Sequence, residues 1–182
     1  MSESAVKGLI LIGGRSSRMG SDKAFVTWKD MSLLEHSVEI LSGITDQVYL
    51  SVNSDQHKVL SAEYECIEDR YENMGPLGGI LSALEFLQED LIVMAVDMPQ
   101  VGAQLLEELI IPGKFVRAYQ TDDNKWEPLP SYWPKTSIRE LKSHFSTNQL
   151  SIKSFLDLHG QGVSIQTDSG SFKNLNRPSD LT

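Results

Sequence analysis

Apolar residues gather along this chain in short dense runs, separated by segments with helical spacing. Residues 6–12 form a mostly continuous apolar run that ends in Gly13-Gly14. A run without polar alternation predicts a strand covered on both faces, as in a parallel sheet. Residues 48–52, 64–67 and 91–96 predict further strands of this kind. Between them, Leu33, Leu34, Val38 and Leu41 fall on one helical face, and Ser54 is placed to cap a helix through Leu60. Ile80, Leu81, Leu84 and Leu87 predict a helix entered from a loop over residues 75–79, and residues 103–110 predict another. This alternation predicts an α/β fold of three layers, Rossmann-like, with a mostly parallel sheet between helices.

The last third follows a different rhythm. Residues 115–119 and 129–133 read as strands joined by the polar turn 121–125, a hairpin that would place an antiparallel strand in the sheet. Helices over 136–144 and 152–159 and a final strand over 162–166 complete the prediction. No linker, repeat or low-complexity stretch interrupts the chain, so residues 1–182 are expected to form a single domain.

Composition narrows the function. Of the 182 residues, 40% are apolar and 23% charged, as in soluble globular proteins. The formal net charge of −9 opposes binding to a polynucleotide, which needs a basic face. No apolar stretch is long enough to span a bilayer, and residues 1–7 lack the features of a signal peptide. With Cys66 as the only cysteine, no intramolecular disulfide can form, and the cytoplasm is the expected compartment.

Ligands of open α/β sheets bind beyond the carboxyl ends of the strands. Here those ends carry Gly13-Gly14, Ser51 and Asn53, Glu68-Asp69, and Asp97-Met98-Pro99. The sharpest motif is Gly13-Gly14-Arg15-Ser16-Ser17-Arg18-Met19-Gly20-Ser21-Asp22-Lys23. Glycines after a strand let backbone N–H groups approach phosphate oxygens, and Arg15, Arg18 and Lys23 can neutralise a triphosphate. No Gly-Lys-Ser/Thr closes the loop, and its glycine spacing is not that of a dinucleotide site. Asp97, directly after an apolar run, is a hard oxygen donor suited to Mg²⁺. Asp69, with Glu68, offers a second carboxylate, which an exposed acidic turn would equally explain. Gly75-Pro76-Leu77-Gly78-Gly79 could turn backbone donors toward a base or ribose, or could be a plain loop entering a helix. Asn174-Leu175-Asn176-Arg177-Pro178-Ser179-Asp180 reads by itself as the start of a short terminal helix. His36, His57, His144 and His159 lack metal-ligand spacing, and no nucleophile elbow is present.

In its motifs the sequence resembles the molybdenum cofactor guanylyltransferases, the MobA family of the nucleotidyltransferase superfamily. The resemblance rests on Leu11-Ile12-Gly13-Gly14-x-Ser16-x-Arg18-Met19-Gly20-x-Asp22-Lys23, and on Gly75 to Gly79, Asp97-Met98-Pro99, Glu127-Pro128-Leu129-Pro130 and Asn174-x-Asn176-x-Pro178-x-Asp180, in that order. It implies transfer of GMP from GTP to the terminal phosphate of molybdopterin, with release of pyrophosphate. GTP would meet Leu11, Ile12, Gly13, Gly14, Arg15, Lys23, Asp69, Gly78 and Asp97. Asp97 would hold Mg²⁺, Lys23 and Arg18 would act on the phosphates, and Asn174 and Asn176 would help receive the pterin. Cofactor-delivery proteins and molybdoenzyme chaperones would be partners. Ile12 stands where the family usually has alanine, Ser51 where some members have asparagine, and Arg177 where threonine is usual. Alternatives are a cytidylyltransferase for the same pterin, a sugar-phosphate nucleotidyltransferase, and a non-catalytic nucleotide-binding regulator.

Overall fold

The computed structural model describes residues 6–12, 23–71, 74–147, 149–165 and Phe172. In chain order the elements are β1 (Lys7–Leu11), a 3-10 turn (Lys23–Phe25), β2 (Thr27–Trp28), β3 (Met31–Ser32), α1 (Leu33–Ser42), β4 (Val48–Val52), α2 (Ser54–Leu60) and β5 (Cys66–Glu68). They continue as α3 (Gly75–Leu87), β6 (Leu91–Ala95), α4 (Ala103–Leu109), β7 (Val116–Gln120), β8 (Trp126–Trp133), a 3-10 turn (Lys135–Ser137), α5 (Ile138–Phe145), α6 (Ile152–His159) and β9 (Gly160–Ser164).

A seven-stranded sheet runs in the order β5, β4, β1, β6, β8, β7, β9. Strands β5, β4, β1 and β6 are parallel neighbours, and β9 pairs parallel with β7. Strand β8 is antiparallel to both β6 and β7, so the mixed sheet expected from the 121–125 turn is present. Alternate residues of β1 separate the two cores, as the period of a strand requires. Ile10 and Ile12 join Leu33, Leu34, Leu41, Leu105 and Leu106 on one face. Leu9 and Leu11 join Leu77, Ile80, Leu84, Leu141 and Phe155 on the other. The sheet is therefore sandwiched between α1, α2 and α4 on one side and α3, α5 and α6 on the other. No helix among the described residues is long and apolar enough to cross a membrane.

Several boundaries differ from the sequence expectation, each for a local reason. Asn53, not Ser54, caps α2: its side chain accepts from the Asp55 and Gln56 N–H groups, and Gln56 returns a bond to the Asn53 N–H. Tyr64 is taken up by a turn closing α2, its N–H bonding the Leu60 carbonyl at 3.0 Å, so β5 begins only at Cys66. Residues 75–79 are the first turn of α3, not a loop, with Pro76 in an early position where a missing N–H costs nothing. Strand β9 starts at Gly160, directly after α6, two residues before the expected start. Strand β8 begins at Trp126, and the β2–β3 hairpin was not legible in the apolar pattern.

Candidate active site

The parallel strands β1, β4, β5 and β6 end at one edge, where hydrogen bonds beyond the ladders tie them together. The Val96 N–H reaches the Leu11 carbonyl at 3.2 Å, and the Asp69 N–H reaches the Val52 carbonyl at 2.9 Å. Leu11 and Ile12 are each 7% exposed, with side chains in the cores, so they can offer a ligand only their backbone. Lys23 comes next in the described chain, heading the 3-10 turn Lys23–Phe25. Its Nζ lies 3.3 Å from Asp97 Oδ2, with both side chains largely covered. Residues 74 positions apart are thus brought together.

The loop after β6 that carries Asp97 is pinned from two directions. Met98 is 2% exposed and its carbonyl accepts from the Val101 N–H. From α1, His36 Nε2 meets the Pro99 carbonyl at 3.0 Å. A carbonyl only accepts, so the proton of His36 sits on Nε2. Neither contact was legible in sequence, because histidine 63 positions away carries no motif.

Asp69 is the centre of a second cluster. The buried Ser51 hydroxyl, from β4, donates to Asp69 Oδ1 at 2.7 Å. Burial pushes the Asp69 carboxyl above the usual carboxylate range, partly opposed by the Ser51 hydrogen bond. The first turn of α3 closes over this pair. A Cβ on Gly79 would lie 2.2 Å from Ser51 Oγ and 3.1 Å from Asp69 Oδ1. A Cβ on Gly78 would lie 2.7 Å from the Tyr71 carbonyl. These glycines let a helix approach a strand end, a use of glycine that the sequence pattern could not separate from a loop. Ser82 secures the approach: its hydroxyl donates to the Gly78 carbonyl and accepts from the Arg70 N–H. Asp69 is therefore no freely solvated turn residue. Ser51 acts on it directly.

Gly13, Gly14, Arg15 and Arg18 lie outside the described residues, as do Asn174 and Asn176. Among the described residues no group of three or more His, Cys, Asp or Glu side chains gathers as a metal site. Asp97 suits a hard cation as a single carboxylate completed by phosphate oxygens and water, the usual arrangement for Mg²⁺ with nucleotides. Cys66 opens β5 half-buried, and burial raises its thiol pKa, so it is no activated nucleophile.

Comparison with known proteins decides the family. The MobA-like NTP transferase domain matches residues 8–163. The chain belongs to this family. A probable molybdenum cofactor guanylyltransferase of Flavobacterium johnsoniae is 32% identical over 153 residues, covering 81% of this chain and 78% of that protein. A molybdenum cofactor guanylyltransferase of Pseudomonas putida is 28% identical over 176 residues, covering 93% and 92%. In three dimensions, molybdopterin-guanine dinucleotide biosynthesis protein A from Archaeoglobus fulgidus superposes with a TM-score of 0.81 at 28% identity, over 97% of this chain and 95% of that one. The MobA-like NTP transferase domain thus takes in both the β1 edge and the antiparallel strand β8, and the family resemblance carried by the motifs holds.

Proposed function

We propose that this chain transfers GMP from GTP to the terminal phosphate of molybdopterin, releasing pyrophosphate and forming the guanine dinucleotide cofactor. The observation that carries the reading is the Lys23–Asp97 pair, an ammonium and a carboxylate 3.3 Å apart at the ligand edge of a MobA-like domain. The Lys23–Asp97 contact is longer than a tight charge-assisted bond, so a phosphate oxygen could replace Asp97 at Lys23 and a cation could replace Lys23 at Asp97. Bound at Asp97, Mg²⁺ would supply positive charge to the triphosphate. Lys23, joined by Arg18 and Arg15, would offset charge on the departing pyrophosphate. The backbone of Leu11, Ile12, Gly13 and Gly14 would cradle the nucleotide.

Asp69, held by Ser51, would receive a ribose hydroxyl or a base N–H. The first turn of α3 has no side-chain cap, so its opening N–H groups, at Gly75 and Leu77, would donate to a base carbonyl, and Gly78, with no side chain, would let the base approach the backbone. Asn174 and Asn176 would contribute to the pterin side. We place the reaction in the cytoplasm, in one 182-residue domain that passes its product to delivery proteins and molybdoenzyme chaperones. No side-chain nucleophile is required, since the acceptor phosphate attacks the α-phosphorus itself and catalysis is alignment plus charge stabilisation. The test is pyrophosphate release with purified molybdopterin and either GTP or CTP. Release with GTP alone supports the reading. Release with CTP alone makes the chain a cytidylyltransferase, and release with sugar phosphates in place of the pterin moves it to another branch of the superfamily.

A further inference from the structure

The nucleotide groups named above all lie to one side of Asp97 in the sheet. Ser51, Asp69 and Lys23 belong to β4, the end of β5 and the segment after β1, whereas Asp97 lies in the loop just after β6. The next strand on the other side is β8, and it is irregular at this edge. Its ladder with β6 runs from Leu91↔Trp133 only to Val93↔Ser131, leaving Met94 and Ala95 without partners on β8. Its register with β7 jumps from Ala118↔Ser131 to Tyr119↔Glu127, so Pro128, Leu129 and Pro130 bulge out between them. Prolines lack the N–H a ladder needs, which explains why the pairing stops here. The sheet therefore opens beside Asp97, on the side away from the nucleotide groups.

Glu127 stands at the top of this opening. It is half-buried, and among the described residues it has neither a hydrogen-bond nor an ion-pair partner. Its carboxylate oxygens are open to solvent and hold no partner among the described residues, so a ligand can take them without breaking a bond to those residues. Paired with Tyr119, Glu127 faces the same side of the sheet as that ring, where the chain returns at Phe172, 5.0 Å from Tyr119 between ring centres.

We propose that Glu127 determines acceptor specificity: its carboxylate receives the ring N–H and 2-amino hydrogens of the pterin. The pyrimidinone edge of a pterin presents those two donors side by side, and a carboxylate presents two acceptors, so they match in a bidentate pair. Guanine carries the same donor pair, but the nucleotide groups lie across Asp97 from β8. The inference rests on the reading of the acceptor as a pterin.

The experiment uses the full chain with Glu127→Gln and Glu127→Ala, each first checked for wild-type thermal unfolding. Pyrophosphate release is measured with molybdopterin varied at saturating GTP, and the reverse. E127A should raise KM for molybdopterin about 10- to 100-fold, the range for a lost hydrogen bond to a charged group, and leave KM for GTP unchanged. In parallel, fluorescence titration compares 6-hydroxymethylpterin with 6-hydroxymethyllumazine, which has an oxygen in place of the 2-amino group. Wild type should prefer the pterin, and E127Q should lose that preference, since its amide can donate to the lumazine oxygen. A rise in KM for GTP instead, unchanged KM values for both substrates, or a pterin preference that survives in E127Q overturns the proposal. If wild type transfers no nucleotide to molybdopterin, the functional reading fails, while the titration still decides the role of Glu127.

Discussion

Substituting Gly79 by alanine tests how the helix, strand and carboxylate at the nucleotide edge depend on one another. Gly79 is buried and its φ is not in the left-handed region, so alanine suits the backbone and gains helix propensity of up to ~1 kcal/mol. The new methyl carbon, however, falls 2.2 Å from Ser51 Oγ. That is more than about 1 Å inside the best separation for such atoms. Ser51 is 3% exposed and cannot swing into water, so its hydroxyl must leave Asp69 and, kept inside, still crowds α3. Losing a hydrogen bond to a charged group costs about 1.5–3 kcal/mol, and overpacking costs about 1–3 kcal/mol. After the propensity gain, a net loss of about 2–4 kcal/mol follows. In a chain of this size that lowers Tm by roughly 5–15 °C.

A second variant separates the clash from the lost hydrogen bond. In Ser51→Ala/Gly79→Ala the offending oxygen is gone, and the remaining neighbours of the new methyl are Asp69 Oδ1 at 3.1 Å and the residue 51 Cβ at 3.3 Å. Both need shifts of only a few tenths of an ångström. The double variant should therefore recover at least ~1 kcal/mol relative to Gly79→Ala alone, a non-additivity that contacting residues show. Denaturant unfolding followed by circular dichroism measures these two variants and Ser51→Ala alone. A wild-type stability for Gly79→Ala, or losses from the two substitutions that simply add, would refute the packing argument. GTP titration of the same variants should show weaker binding wherever the Ser51–Asp69 bond is broken.

Asp69→Asn should divide stability from function. Because burial raises the Asp69 carboxyl pKa, its stabilising protonated form is lost as pH rises through that raised value, and the ionised group is a liability at pH 7. Asparagine still accepts from Ser51, so Tm at pH 7 should equal or exceed wild type, with the difference shrinking toward pH 4, while GTP affinity falls at least ~10-fold. His144 gives the opposite sign. Buried beside Phe155 and bonded to Ser154, its pKa is held below the ordinary 6.5 by burial and by His159. Its contribution is present above pH 6.5 and is lost as pH falls through the depressed value, so His144→Gln should flatten the loss of stability between pH 7 and pH 5 in urea titrations. Lys23→Ala should slow pyrophosphate release by about two orders of magnitude, with a modest fall in Tm because the largely covered Asp97 loses its ammonium partner; an unchanged rate rejects its phosphate role.

The fold was legible where one physical constraint ruled the sequence, and obscure where two competed. The runs at residues 7–11, 48–52 and 91–95 are strands because burial on both faces leaves no room for polar alternation. The place of Asp97 just beyond β6 was legible because a carboxylate cannot continue such a run into the core. Glycine at 75–79 was misread because its cost in a helix is visible in sequence, whereas the benefit that outweighs it is a contact with Ser51 and Asp69, respectively 28 and 10 positions upstream of Gly79. The role of Ser51 was not legible beyond its place at a strand end, because its hydroxyl acts through Asp69 and a single position cannot announce a partner. The same holds for Glu127. Its motif was visible as a family mark, but the opening beside it comes from prolines ending a ladder between β6 and β8, and that pairing exists only once the antiparallel strand is in place. Residues placed at a strand end are thus readable from their type and position, while residues that act through another side chain become readable only from the packing that joins them.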